Sequence, residues 1–268
     1  MNHHERGGTA LKIDINADVG ESFGGYSIGE DESLFPYISS ANIACGFHAG
    51  DFNVMNETVK KAKENKVAVG AHPGFPDLQG FGRRQLEMST REIYNCVVYQ
   101  IGALKIFCDI HHVPLQHVKP HGALYNAAAK NPLIAEAIAE AVYDSVPDAY
   151  LFGLYNSELI IAGKKRGLKT CSEAFADRQY EDDGTLCSRQ QPHAVLKTND
   201  EILRQVNEIV FNHRVKTISG NWIPIDAGTI CFHGDGANVV SHTAFVRHAL
   251  EAANVSIQPV GAKDDSSI

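Results

Sequence analysis

What limits this chain most is an alternation of short apolar strands and amphipathic helices that persists from Leu11 to Ala253. Leu11 to Asn16, Ala41 to Cys45 and Val67 to Gly70 read as strands, each short and bounded by Gly or Pro. Between the last two, Met55, Val59 and Ala62 recur at helical spacing over Val54 to Glu64, which makes one β-α-β unit. Ser89 and Glu92 stand three apart as a capping box and open a helix through Ile93, Val97, Ile101, Leu104 and Phe107. His117 to Lys119 is the next strand. Asn131 and Pro132 supply an N-cap and a first-turn proline for a helix to Ser145, followed by a strand at Tyr150 to Gly153. Asn156 to Arg166, closed by Gly167, is again a helix, and Lys169 to Glu173 a strand. A helix over 199 to 213, a hairpin over Val215 to Ile225, a strand at Thr229 to His233 and a helix from Ala237 to Ala253 complete the pattern.

Regular β-α repetition with right-handed crossovers closes into a barrel or opens into a doubly wound sheet. Polar clusters follow nearly every strand here, whereas an open sheet gathers them at one switch point. The expected fold is therefore a TIM-like α/β barrel, of about seven strands, formed by residues 10 to 268 as one domain. Residues 1 to 9, with His3 and His4, read as a disordered extension or an expression remnant.

Apolar residues make up 44% and charged residues 21% of the 268, enough for a large core. A net charge of -8 argues against a nucleic-acid partner, which would select a basic face. No stretch is expected to span a membrane, and the N-terminus lacks an apolar targeting segment. The six cysteines are scattered, with no short metal spacing, which fits reduced thiols in a cytoplasmic protein.

The segments after the strands hold the chemistry. They are Asp14-Ile-Asn16-Ala-Asp18-Val-Gly-Glu21, Gly46-Phe-His48-Ala-Gly-Asp51, Ala71-His72-Pro-Gly-Phe-Pro-Asp77, Lys119-Pro-His121-Gly122, Glu173-Ala-Phe-Ala-Asp177-Arg178 and His233-Gly-Asp235. In a parallel barrel all of these meet at the C-terminal rim. Asp14, Asn16 and Asp18 alternate with Ile13, Ile15 and Ala17, so the polar set faces one side, with Asp14 and Asn16 below the pocket floor and Asp18 at its edge. Any one of these carboxylates is more simply a loop cap than a catalyst. Histidines after four different strands are not explained by capping, and proton transfer is.

Pro120 forces Lys119 into an extended conformation that projects it from the strand end, where a buried ion pair and a functional role are equally good readings. Gly122 places a sharp turn beside His121. Gly80-Phe-Gly82-Arg83-Arg84 is a loop whose two guanidinium groups suit a carboxylate or a simple basic surface. The chain has no G-x-x-x-x-G-K-[ST] loop and no dinucleotide G-x-G-x-x-G after a strand.

With these motifs in view, the chain resembles the LamB/YcsF family, the A subunits of prokaryotic-type ATP-dependent 5-oxoprolinase. The resemblance rests on DINADVGESFG (14 to 24), ANIACGFHAGD (41 to 51), GAHPGFPD (70 to 77), GFGRR (80 to 84), HVKPHGALYN (117 to 126), EAFADRQY (173 to 180) and ICFHGDGANVV (230 to 240), in that order over residues 11 to 258. It implies a seven-stranded barrel related to sugar deacetylases and some glycoside hydrolases. It also implies an enzyme that acts with two other subunits, B and C, to convert 5-oxoproline and ATP, with magnesium at the level of the complex, into glutamate. The partners would phosphorylate the lactam and this subunit would open it. Whether copies of the chain self-associate is left open.

Ring opening needs a base for water, a proton donor for the departing nitrogen, and cations for carboxylate and phosphate. On this reading Asp18 or His48 is the base, His121 the nitrogen donor, and Lys119 and Arg178 the anion-binding groups, with Glu173 and Asp177 orienting them. Asn16, Asp51, His72, His233, Asp235, Arg83 and Arg84 complete the expected substrate site. No resident metal is expected. The rival reading is a metal-dependent amide hydrolase or deacetylase using Asp18, His48 and His72. A second rival is a non-catalytic protein that binds a small acid, which would not need so many titratable groups.

Overall fold

Strand β1, Lys12–Val19, is buried along its whole length except at Lys12. The computed structural model describes residues 11–189, 191–233 and 238–262. On one side β1 runs parallel to β2 (Ser40–Ala44), and the order continues through β3 (Ala68–His72), β4 (Leu115–Val118), β5 (Tyr150–Leu154) and β6 (Lys169–Phe175). Strands β7 (Arg214–Lys216) and β8 (Trp222–Pro224) form the expected antiparallel hairpin outside the sheet. Strand β9 (Thr229–Phe232) then pairs with both β6 and β1 and closes a seven-stranded parallel barrel. A short β10 (Ser256–Ile257) adds to the outer end of β1.

The intervening helices are α1 (Asp31–Leu34), α2 (Phe52–Glu64), α3 (Thr90–His111), α4 (Gly122–Lys130), α5 (Pro132–Ser145), α6 (Glu158–Arg166), α7 (Asn199–Asn212) and α8 (Val239–Ala252). Their ends follow local chemistry. The Ser89 hydroxyl and the Glu92 carboxylate form the capping box of α3, and Asn131 caps α5 through the amides of Leu133 and Ile134. Gly167, at φ +90, ends α6 in the left-handed region. Two expectations shift. Helix α6 begins at Glu158 because Asn156 is left-handed (φ 57) and Ser157 is the cap, and α4 is an addition to the expected pattern, in which Gly122 marks only a turn.

By length and composition alone, helix α3 is apolar enough to cross a membrane. Its apolar stripe, however, is spent on the barrel, where Ile93, Val97, Ile101, Leu104 and Cys108 are buried. The outward residues of β1, namely Ile13, Ile15, Ala17 and Val19, join the same core.

The barrel interior is polar at several levels. Pairing of Asp18 with Asn42, Asn16 with Cys231, and Glu173 with Thr229 sets these side chains in neighbouring layers. His117 fills the interior beneath them, stacked 4.2 Å from Phe152 with its Nε2 2.7 Å from Asn42 Oδ1. Burial, then the Lys119 ammonium, bring its pKa down to about 3, so it is neutral. A Cβ at Gly70 would stand 2.0 Å from His117 Nε2, so the ring occupies space that only glycine leaves.

Candidate active site at the C-terminal rim of the barrel

Asp14 lies deepest on β1 and accepts hydrogen bonds from the hydroxyls of Ser39 (2.6 Å), Ser40 (2.7 Å) and Thr229 (2.5 Å). Burial pushes its pKa up to about 6 against the pull of these donors. One layer higher, Asn16 donates through Nδ2 to Glu173 Oε1 (2.9 Å) and Thr229 Oγ1 (2.7 Å) and receives Asn42 Nδ2 on its oxygen (2.7 Å). The inward alternation expected of Asp14, Asn16 and Asp18 is therefore realised, with Asp14 and Asn16 below the floor.

Lys119 leaves the end of β4 in the extended form that Pro120 requires, and its ammonium is buried among acceptors. It lies 2.8 Å from Glu173 Oε1, 3.2 Å from Asp18 Oδ1 and 3.1 Å from Asn16 Oδ1, and donates to Cys231 Sγ at 2.9 Å. Burial opposes its charge, but Asp18 and Glu173 hold its pKa well above the usual lysine range. Asp18 shows the reciprocal effect: against burial, His72 and Lys119 hold its carboxyl well below the usual carboxylate range. Tyr125 donates to Glu173 Oε2 at 2.8 Å.

The histidines form a wall beside this pair. His72 Nε2 is 3.3 Å from Asp18 Oδ1 and 2.9 Å from His121 Nδ1. His48 stacks on His121 with ring centroids 3.7 Å apart and places Nε2 3.3 Å from Glu21 Oε1. Its Nδ1 is buried with no hydrogen-bond partner among the described residues. Burial, then His121 and His72, depress the pKa of His48, and burial and His72 depress that of His121. The Gly80–Arg83 turn covers the wall: Phe81 meets both rings edge-on, and its carbonyl lies 2.8 Å from His121 Nε2.

A cavity of about 670 Å³ opens above these groups. Of the residues expected from sequence, Asp18, His72, Arg83, Lys119, His121, Arg178 and His233 line it, and Asn16 and Glu173 support its floor. Asp177 stands behind His233, with carboxylate oxygens 3.0 and 3.2 Å from His233 Nδ1. Burial works against its charge, yet His233 holds its pKa down.

The remaining candidates are placed elsewhere. His48 borders a second cavity, of about 530 Å³, on the far side of the wall with Glu21 and Phe81. Asp51 caps α2 through the amides of Asn53 and Val54 and does not line the main cavity. Arg84 is largely exposed and tied to Asp77, and the Arg178 guanidinium reaches the carbonyls of Ala194 and Cys187 while lining the cavity. Asp235 lies outside the described residues, as do residues 1 to 10. Glu21, Tyr125 and Cys231 have no role assigned from sequence. All three stand in motifs already singled out, but nothing along the chain sets Glu21 beside histidines or brings Tyr125 to Glu173 and Cys231 to Lys119. The atoms of Glu21, His48, His72 and His121 able to bind a metal lie within 4.8 Å of one another. Asp18, the carboxylate of the rival metal reading, is engaged by Lys119 and Asn42.

Comparison with known proteins agrees with this geometry. The chain matches the LamB/YcsF family over residues 13–265. It is 52% identical over 251 residues to a protein of Staphylococcus saprophyticus named as the A subunit of 5-oxoprolinase, covering 94% of this chain and 100% of that one. A protein of the same name from Halalkalibacterium halodurans is 51% identical, covering 93% and 97% of the two chains. Among solved structures, the lactam utilization protein of Thermus thermophilus superposes with a TM-score of 0.88 at 42% identity, covering 92% of this chain and 99% of that one.

Proposed function

This chain belongs to the LamB/YcsF family, and from that membership and the pocket we propose that it opens the ring of 5-oxo-L-proline as the A subunit of an ATP-dependent 5-oxoprolinase. The observation that carries the reading is the Lys119 ammonium, buried between Asp18 and Glu173 at the floor of a cavity that His72, His121, His233 and Arg83 also line. A five-membered lactam with its carboxylate needs a fixed cation near the reacting oxygen and proton carriers around it, and this arrangement supplies both.

An unactivated amide resists water because its nitrogen lone pair is delocalised onto the carbonyl. Phosphorylation of the carbonyl oxygen, assigned here to partner subunits B and C with ATP and magnesium, removes that protection. One water then adds to the ring carbon, the C–N bond breaks with a proton going to nitrogen, and γ-glutamyl phosphate is left. A second water releases phosphate and gives glutamate. Lys119 faces the oxygen that gains negative charge, held there by Glu173 and Asn16.

Of the two candidate bases, Asp18 faces the main cavity and is assigned the attacking water, while His48 lies behind the wall. Nitrogen donation passes from His121 to His233. Both ring nitrogens of His121 are engaged, by His72 and Phe81, whereas His233 is oriented through Nδ1 by Asp177 and borders the cavity. The expected location is the cytoplasm, where ATP and partners are available, and the partners are expected to dock over the rim near Arg83 and Arg84.

The test is glutamate formation by the chain with its partner subunits, ATP and magnesium. Asp18→Asn is expected to abolish it while leaving the assembly intact by gel filtration. Full activity of Asp18→Asn would refute the assignment.

A further inference from the structure

Two imidazole nitrogens face each other in the histidine wall without a proton to share if both rings are neutral. His72 donates its Nδ1 proton to the Lys119 carbonyl at 2.7 Å, and His121 donates its Nε2 proton to the Phe81 carbonyl at 2.8 Å. A carbonyl oxygen only accepts, so each neutral ring is left with a lone pair on the other nitrogen. Those two nitrogens, His72 Nε2 and His121 Nδ1, lie 2.9 Å apart, with the ring planes at 85°. Two lone pairs at that separation repel unless a proton or a metal cation joins them, and Asp18 Oδ1, 3.3 Å from the same His72 nitrogen, favours positive charge there. Glu21 Oε1 adds negative charge 3.8 Å from His121 Nδ1, and all three side chains are buried.

The outer hydrogen bonds carry the same message. A metal-bound histidine gives its second ring proton to a carbonyl or carboxylate, which fixes the tautomer and aims the lone pair. Both rings are held in this way before any ion arrives. We propose that Glu21 Oε1, His72 Nε2 and His121 Nδ1 form a binding site for a first-row divalent cation of the zinc type. Two imidazoles and one carboxylate are a ligand set that zinc accepts with a further position left open, and here His72 and His121 both border the main cavity.

His48 is close enough to be counted with the three, but its ring lies flat on His121 at an interplanar angle of 4°. Lone pairs in the planes of parallel rings run side by side and do not meet at one ion. His48 instead holds Glu21 through Nε2, as an outer partner of the carboxylate. This set differs from the Asp18, His48 and His72 set of the rival metal reading: Glu21 supplies the carboxylate and His121 the second imidazole. The site is inferred from side-chain geometry and does not rest on the lactam reading.

The test uses the full-length chain, freed of metal by a chelator and then titrated with cobalt(II) and, separately, zinc(II). Cobalt is expected to give visible d–d absorption typical of nitrogen and oxygen ligands at one ion per chain, and zinc to abolish it. Zinc is also expected to raise the thermal midpoint. His72→Ala, His121→Ala and Glu21→Gln should each remove the absorption, with circular dichroism checking that the variants fold. His48→Ala should bind about 10- to 100-fold more weakly, the usual loss for an outer partner. If the wild-type chain gives no cobalt absorption and no zinc-dependent stabilisation, the proposal fails whatever the variants do, and the two rings share a proton instead. Unchanged stoichiometric binding in a folded His72→Ala, His121→Ala double variant would equally overturn it, by placing the ion on other residues.

Discussion

Asp177 sets both carboxylate oxygens against one nitrogen of His233, at 3.0 and 3.2 Å, at the edge of the main cavity. A carboxylate on Nδ1 fixes that nitrogen as the protonated one and turns Nε2 away from it, which makes Asp177 a positioning residue. Asp177→Asn is expected to lower kcat on the order of 100-fold or more, with KM for 5-oxoproline little changed and His233→Ala adding nothing further. Steady-state kinetics of the reconstituted enzyme check this. Equal additive losses in the double variant would show that the two residues do not act as a unit.

Lys119 is the only partner close enough to neutralise both Asp18 and Glu173 among the described contacts. Removing one member of a buried charge group costs about 3–5 kcal/mol because the others stay buried and unpaired. Lys119→Met should show that loss in urea denaturation together with loss of glutamate formation. The double variant Lys119→Met, Glu173→Gln should regain part of the stability and none of the activity. Recovery of activity would mean that Lys119 serves packing alone.

The barrel was legible because most of its longer helices carry their own start or stop signals, and α5 over Pro132–Ser145 falls where Asn131 and Pro132 put it. The inward set on β1 was legible for the same kind of reason, since a period of two leaves only one face for Asp14, Asn16 and Asp18. Depth at the rim was not. Nothing along the chain distinguishes His72, which borders the main cavity, from His48, which lies behind it, because the difference arises from how the loop over Phe81 folds across both rings. Asp51 illustrates the opposite limit: an acid after a strand looks the same whether it serves a ligand or caps the next helix, and only its bonds to the amides of Asn53 and Val54 settle its placement. Tyr125 escapes sequence reasoning because it reaches Glu173 from α4, a helix whose start at Gly122 looks like a simple turn.

Asp14 makes stability depend on pH in a defined direction. Its pKa is about 6 in the folded chain against an ordinary 3.8, so the folded state keeps a proton that the unfolded state loses. The stability this provides is complete below about 4 and is lost as pH rises through about 6, a difference of roughly 3 kcal/mol. Denaturation of the wild type and of Asp14→Asn at steps across that window should give a difference that changes by this order. A constant difference would mean that the Asp14 carboxyl is not raised.

Leu104 is fully buried on the barrel-facing stripe of α3. Leu104→Ala is expected to cost about 2–5 kcal/mol in chemical denaturation. A cost near zero would mean that this face of α3 is not packed, and would reopen the question raised by its apolar length.

The most direct measurement is glutamate and phosphate release from 5-oxoproline, ATP and magnesium, with the purified chain alone and with its two partner subunits. The chain has no P-loop motif in its sequence from which a phosphate could be delivered, so activation is assigned to the partners. The account predicts no glutamate from the chain alone and equal amounts of glutamate and phosphate once both partners are present. Stoichiometric glutamate from the isolated chain would contradict it, and so would a mixture of the partners that is fully active without this chain.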